Sequence, residues 1–212
     1  MGQIYQAVKL KELFNEYGIK NFVETGTGIG DTLMEIIINK PAELNVYTIE
    51  LMDELYQPLV EKFGDIPYIH LLKGYSHEQM KVALEMLSPE PTLFWHDAHF
   101  PGADFQIGGA TYTSEADPTK RIPFYAELKA IKDSGRDITH DVIISDDLWI
   151  YEDGPYEVGN WHLREAAGGD GVEFVEEMFS DTHHIYKTYV KQGFIVMLPK
   201  QGHTPEREAL IR

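Results

Sequence analysis

Two kinds of run alternate along the chain. Short segments rich in β-branched and aromatic residues end on polar or acidic positions: 21–25 (NFVET), 45–50 (NVYTIE), 68–72 (YIHLL), 92–97 (TLFWHD) and 141–147 (DVIISDD). Between them, residues 31–39, 52–63, 77–87 and 122–133 carry apolar positions at helical spacing. Continuous apolar strands separated by helices predict a parallel sheet buried on both faces. Near the end, THHIYKTYV (182–190) and GFIVMLP (193–199) are separated by Lys191 and Gln192 alone. That gap is too short for a crossover, so these two strands should form an antiparallel hairpin. The expected fold is α/β: a doubly wound, Rossmann-like sheet, mostly parallel, with a C-terminal antiparallel hairpin. Residues 1–20 offer one amphipathic helix (YQAVKLKELFNEYG), residues 21–199 the main domain, and residues 200–212 a frayed tail.

Two polar insertions, 100–121 and 148–171, interrupt the alternation. Both follow strand ends, where open α/β sheets bind ligands, and loops of that length in a compact domain are lids, binding loops or disordered.

Composition narrows the partners. The 212 residues, 43% hydrophobic, suffice for one core. A net charge of −17 repels phosphate backbones and anionic lipid, which argues against nucleic acid and membrane surfaces as partners and suits small ligands or cations. The absence of cysteine excludes disulfides, thiolate metal sites and a Cys nucleophile, and fits an expected cytoplasmic location. The opening residues do not read as a signal peptide, Gln6 breaks the myristoylation pattern, and no apolar run reaches membrane-spanning length.

The chemistry begins at NFVETGTGIGDTL, residues 21–33. A strand, a glycine turn and a helix start make a cradle in which backbone approaches a ligand closely. The dinucleotide pattern G-x-G-x-x-G fails by one residue, because Asp31 stands where its third glycine belongs and would set a carboxylate against a pyrophosphate. The observed form is acid-x-Gly-x-Gly-x-Gly, with Glu24, Gly26, Gly28 and Gly30. In this the chain resembles the class I S-adenosylmethionine-dependent methyltransferases. The resemblance implies that S-adenosylmethionine is held by Glu24, Gly26, Thr27, Gly28 and Gly30, with Glu24 toward the methionine end. Glu50, at the end of the second strand, would accept hydrogen bonds from the ribose hydroxyls. Gly74 and Ser76, in KGYS (73–76), would flank the adenine. The competing reading is a tight turn that needs glycine only for packing.

Strand four ends in FWHDAHF and strand five in IISDD. In a sheet ordered 3-2-1-4-5 these strands are neighbours, so Asp97, Asp146 and Asp147 should converge. Three clustered carboxylates repel unless protonated or neutralised, and oxygen ligands suit Mg²⁺, Ca²⁺ or Mn²⁺. The arrangement resembles the metal-dependent sugar O-methyltransferases of the macrocin type. That likeness implies a magnesium site at Asp97, Asp146 and Asp147, with His99 as general base and Asp97 sharing in catalysis. The plainer reading makes the acidic pair a cap for the next segment and His99 a ligand or an acceptor hydrogen bonder.

His96 alternates to the other face and should pack. Of His183 and His184 one should face solvent, and neither has a metal-ligating partner by spacing. Trp149, Tyr151, Tyr156 and Trp161 either line an acceptor pocket or anchor their loop. The expected function is S-adenosylmethionine-dependent O-methylation of a small hydroxylated acceptor, a sugar among the candidates, assisted by a divalent metal. The alternatives are a metal-independent small-molecule methyltransferase and a non-catalytic cofactor-binding protein of the same fold. A nucleic-acid methyltransferase is disfavoured, since HDAHF stands where an Asn/Asp-Pro-Pro-aromatic motif would be. The chain is short for the sugar enzymes, which leaves the acceptor open, as it leaves a homo-oligomer.

Overall fold

Seven strands, β1 Asn21–Thr25, β2 Asn45–Glu50, β3 Ile69–Lys73, β4 Thr92–His96, β5 Val142–Ser145, β6 His183–Thr188 and β7 Phe194–Pro199, form one sheet in the computed structural model, which describes residues 3–169 and 171–212. The sheet order is β3-β2-β1-β4-β5-β7-β6, and β7 runs antiparallel to both of its neighbours. The hairpin and the doubly wound order are as the alternation predicts. Thr25 pairs with Ile49 on one side and His96 on the other. The carboxyl ends of β1, β2 and β4 therefore finish level, and the three loops that leave them lie side by side.

Burial explains why the strands read as continuous apolar runs. All five residues of β1 and all five of β4 are buried. Phe22, Val46, Leu93 and Val142 face one core, with Leu33 and Ile36 of α3 (Asp31–Asn39) and Leu59 and Phe63 of α4 (Asp53–Phe63). Their successors Val23, Tyr47, Phe94 and Ile143 face the other, with residues of α5 (Ser76–Met86) and α7 (Phe124–Asp133). One-residue steps thus send apolar side chains to opposite faces.

Three segments differ from expectation. The N-terminal stretch is two short helices, α1 Ile4–Ala7 and α2 Leu10–Tyr17. They are parted where Val8 bridges antiparallel to Ile211. Residues 200–212 are tied down rather than frayed: they form α10 (Pro205–Glu208), bury Leu210, and exchange backbone hydrogen bonds with Ala7 and Lys9. A further helix, α9 (Glu173–Phe179), follows the second insertion and buries Val175 and Phe179. The insertions carry only short helices, among them α6 (Pro118–Arg121) and α8 (Arg164–Ala167). Among the described residues, no helix is long and apolar enough to cross a membrane.

At the amino end of the sheet, Arg136 donates to Asp141 Oδ2 at 2.9 Å and to the Ser88 carbonyl at 2.7 Å, while Asp141 Oδ1 accepts from Thr92 N at 2.8 Å. The Asp141 side chain is 1% exposed. Removing the carboxylate takes from the half-buried Arg136 its ion-pair partner and leaves the buried Thr92 N without an acceptor. Asp141→Ala is expected to lower the unfolding free energy by about 3–5 kcal/mol, measured by urea titration.

Candidate active site

The glycine loop sits where three glycines are required by geometry. Gly26, Gly28 and Gly30 all have positive φ, at 77°, 57° and 86°. A Cβ on Gly26 would lie 2.6 Å from the Asp97 carbonyl oxygen, so β1 approaches the end of β4 more closely than any other residue would allow. Gly26 N and Thr27 N donate to the Ile49 carbonyl, at 3.0 and 3.2 Å, which fixes the loop against β2.

Glu50 holds the other side of the loop. Its Oε2 accepts from Gly28 N at 2.9 Å and its Oε1 from Met52 N at 2.7 Å. Burial pushes its pKa up, against the pull of those N–H donors. A cleft enclosing about 880 Å³ of empty space, part of it open to solvent, is lined by Gly26, Thr27, Gly28, Asp31, Glu50, Gly74, Ser76, Asp97 and His99. Seven of the eight sequence-named donor-site residues are at or beside this cleft: Gly26, Thr27, Gly28, Glu50, Gly74 and Ser76 line it, and Gly30 caps α3 next to them.

The eighth, Glu24, is buried below the loop and does not line the cleft. It accepts from Thr48 Oγ1 at 2.5 Å, and Thr48 in turn is 2.5 Å from Thr27 Oγ1. Burial raises its pKa from 4.5 to about 8, opposed by the Thr48 hydrogen bond and reinforced by the charge of Glu50.

Asp97, His99 and Asp147 come together on the far side of Gly26. Their ligating atoms all lie within 4.8 Å of one another. His99 Nε2 is 2.7 Å from Asp147 Oδ2 and 3.7 Å from Asp97 Oδ1. The approach to Asp147 is of ion-pair length, and among the described residues Asp147 Oδ1 and Asp146 Oδ2 have no hydrogen-bond partner. Asp146 stands behind this group: its Oδ1 accepts from Asp147 N at 2.7 Å and so caps the turn. Asp147 itself has φ 54°, a left-handed conformation that aspartate tolerates better than most residues.

Electrostatics in this cluster are severe. Burial, then the neighbouring carboxylates, pushes Asp97 well above the usual carboxylate range, and burial with Asp147 does the same to Asp146. For His99 burial favours the neutral ring, but Asp147, Asp97 and Asp104 together outweigh it and raise its pKa from 6.5 to about 10. The carboxylates thus favour the imidazolium form of His99. The donor set and its orphaned buried atoms suit a divalent cation.

His96, His183 and His184 lie outside this cluster. His96 Nδ1 is 2.6 Å from Glu127 Oε2 on the opposite face of the sheet, as alternation predicts. His183 is buried against the Asp141 carbonyl, and His184 is half-buried beside His203, ring centroids 4.2 Å apart. Tyr151 and Tyr156 are buried loop anchors. Trp149 and Trp161 join Phe100 and Tyr112 in one aromatic cluster, with Trp161 at 5.2 Å from Phe100 and 5.4 Å from Tyr112. Arg121 Nε donates to the Ala167 carbonyl and its Nη1 to the Glu115 carbonyl, both at 2.8 Å, so it clasps the two insertions together. Sequence reasoning missed Asp104, Phe105 and Lys120, which also line the cleft; they lie inside an insertion, where no periodicity or motif marks them.

The strand order, the glycine loop and the hairpin are those of the class I S-adenosylmethionine-dependent methyltransferase fold. No protein-family profile matches the chain, and no curated protein matches it in sequence. Solved structures do match in fold. The methyltransferase PaMTH1 of Podospora anserina, bound to S-adenosylhomocysteine, is 16% identical with a TM-score of 0.59, over 90% of this chain and 76% of that one. A putative caffeoyl-CoA O-methyltransferase from Staphylococcus aureus is 12% identical with a TM-score of 0.57, over 89% and 80%. The O-methyltransferase TomG of Streptomyces achromogenes, involved in tomaymycin synthesis and bound to S-adenosylmethionine, is 17% identical with a TM-score of 0.55, over 90% and 77%.

The raised pKa of Glu24 has a definite sign. With a folded value of about 8 against 4.5, the native state holds more protons than the unfolded chain between those values. Its contribution is fully present below pH 4.5 and is lost as pH rises through 8. Glu24→Gln removes this dependence. The stability of the natural chain relative to Glu24→Gln is expected to fall by about 1–3 kcal/mol between pH 5 and pH 9, read from paired thermal melts; a constant difference would refute it.

Proposed function

We propose that the chain is an S-adenosylmethionine-dependent O-methyltransferase that acts on a small hydroxylated acceptor with the help of a divalent cation, in the cytoplasm. The observation that carries this reading is the close approach of Gly26 to the Asp97 carbonyl, which sets the glycine loop directly against the carboxylate cluster. Fold neighbours with S-adenosylhomocysteine or S-adenosylmethionine bound support the choice of donor.

S-adenosylmethionine supplies an electrophilic methyl group on a sulfonium. Gly28 and Glu50 would bind the nucleoside, Gly74 and Ser76 would border its base, and Asp31 at the start of α3 disfavours a pyrophosphate. Asp97 and Asp147, with Asp146 behind them, would hold magnesium, which supplies the charge that acidifies a nearby hydroxyl. With the carboxylates so engaged, His99 would lose the partners that favour its charged form and would be free to take a proton from a hydroxyl. Phe100, buried and packed on His99 with ring centroids 5.2 Å apart, would hold that imidazole in place. A metal-independent methyltransferase is the second reading, favoured by the His99–Asp147 approach, in which imidazolium neutralises the cluster without a cation.

Calorimetry tests the donor. S-adenosylhomocysteine is expected to bind and NAD not to, and Glu50→Ala should weaken binding by about 1–3 kcal/mol. Tight NAD binding, or no effect of Glu50→Ala, would sink the assignment.

A magnesium titration followed by thermal shift separates the two metal readings. The melting temperature should rise with Mg²⁺, the apparent affinity should rise with pH because the cation displaces protons from the cluster, and Asp147→Asn should lose most of the response. A melting temperature indifferent to millimolar Mg²⁺ at every pH would leave the metal-independent enzyme.

A further inference from the structure

The first insertion does more than border the donor cleft. Phe105 Cζ stands 3.2 Å from where a Cβ on Gly28 would be, so its ring rests on the bare backbone of the glycine loop. The position of a Cβ on Gly102 lies 3.4 Å from Met52 Cε, just past the end of β2. The segment 100–110 therefore spans the cleft from the glycine loop to the β2 end, over the surface on which a donor nucleoside would lie.

The segment is built to separate from that surface. Phe100 N anchors its start to the Arg121 carbonyl at 2.7 Å, and beyond that its backbone hydrogen bonds close on itself: Ala103 N to Phe100 O, Ile107 N to Gly102 O, and Ala110 N to Ile107 O, at 2.9, 2.9 and 3.0 Å. Tyr112 OH donates to Asp104 within the same insertion. Among the described residues, no hydrogen bond joins 101–110 to the glycine loop or to residues 50–56; the contact across the cleft is apolar. Left-handed backbone at Phe100, Gly102, Gln106, Gly108 and Gly109 concentrates turns at both ends of the segment.

We propose that residues 101–110, hinged at the anchored Phe100, are a gate over the donor cleft, and that Phe105 closes it by occupying the face of Gly28 that the donor needs. The proposal rests on the donor assignment made above. A donor then binds only the fraction of molecules in which Phe105 has lifted, and its apparent affinity is reduced by that fraction.

Stopped-flow mixing with S-adenosylhomocysteine tests it. The ring of Trp161 is 5.2 Å from that of Phe100 at the base of the gate, so indole fluorescence reports the movement. In the natural protein the observed rate should level off with ligand concentration, at the rate of opening. In Phe105→Ala the rate should rise linearly, reach about ten times that plateau, and accompany several-fold tighter binding in calorimetry. Phe105→Leu, which keeps an apolar side chain for folding, should fall between them. Identical linear rates in all three proteins would overturn the gate, and so would weaker binding by Phe105→Ala through faster dissociation, which would make the ring a stacking partner of bound nucleoside. If calorimetry detects no S-adenosylhomocysteine binding in any of them, the donor assignment itself falls and takes the gate with it; binding at equal rates removes the gate alone.

Discussion

The absence of a side chain at Gly26 is the constraint on which the site depends. Because β1 and β4 are neighbours in register, the loop that leaves one strand and the acid that ends the other meet backbone to backbone. Any side chain at Gly26 would be driven into the Asp97 carbonyl, displacing the glycine loop, the carboxylate cluster or both. The spacing between the two halves of the cleft is set by the sheet itself, which is stiff, rather than by the insertions. Glu50 completes the arrangement from β2 by holding Gly28 N and Met52 N at once.

That rigidity is what allows so much unfavourable charge to be kept in one place. Asp97, Asp146 and Asp147 are held near one another on short connections from β4 and β5, with a left-handed turn at Asp147 and burial that penalises ionisation. A softer scaffold would let the carboxylates move apart into water. Here they remain together, with the His99 ring 2.7 Å from Asp147 and 3.7 Å from Asp97 and with burial favouring the protonated forms of Asp97 and Asp146.

Much of the fold was legible because strands buried on both faces must be apolar throughout, and because two residues between the last strands admit only a hairpin. Most of the glycine loop and its acid partner at Glu50 could be read for a similar reason: positive φ and close approach restrict the residue type. What could not be read depends on tertiary contact. Val8 looks like one more apolar position of a single helix, yet it breaks that helix by bridging to Ile211, and the same bridge orders a segment whose composition suggests a loose end. Glu24 was legible as an acid of the motif but not as a buried one. His99 was legible as a neighbour of Asp97, whereas its charge state depends on Asp147, which is remote in sequence. Phe105 had no signal at all, since only the fold brings it to Gly28.

The clasp made by Arg121 bears on how such a protein would be altered. Its guanidinium is satisfied by carbonyls from both insertions, Glu115 in its own and Ala167 in the other, and the rings of Phe100, Tyr112, Trp149 and Trp161 continue the same seam. Neither loop is an independent cassette. Grafting one of them from another scaffold would leave a half-buried arginine without its carbonyls and open an aromatic seam to water, whereas a transplant of the two as a matched pair would carry its own seam with it. The unit of exchange in this architecture is the pair of loops, and recombination that cuts between them is the kind that the clasp penalises.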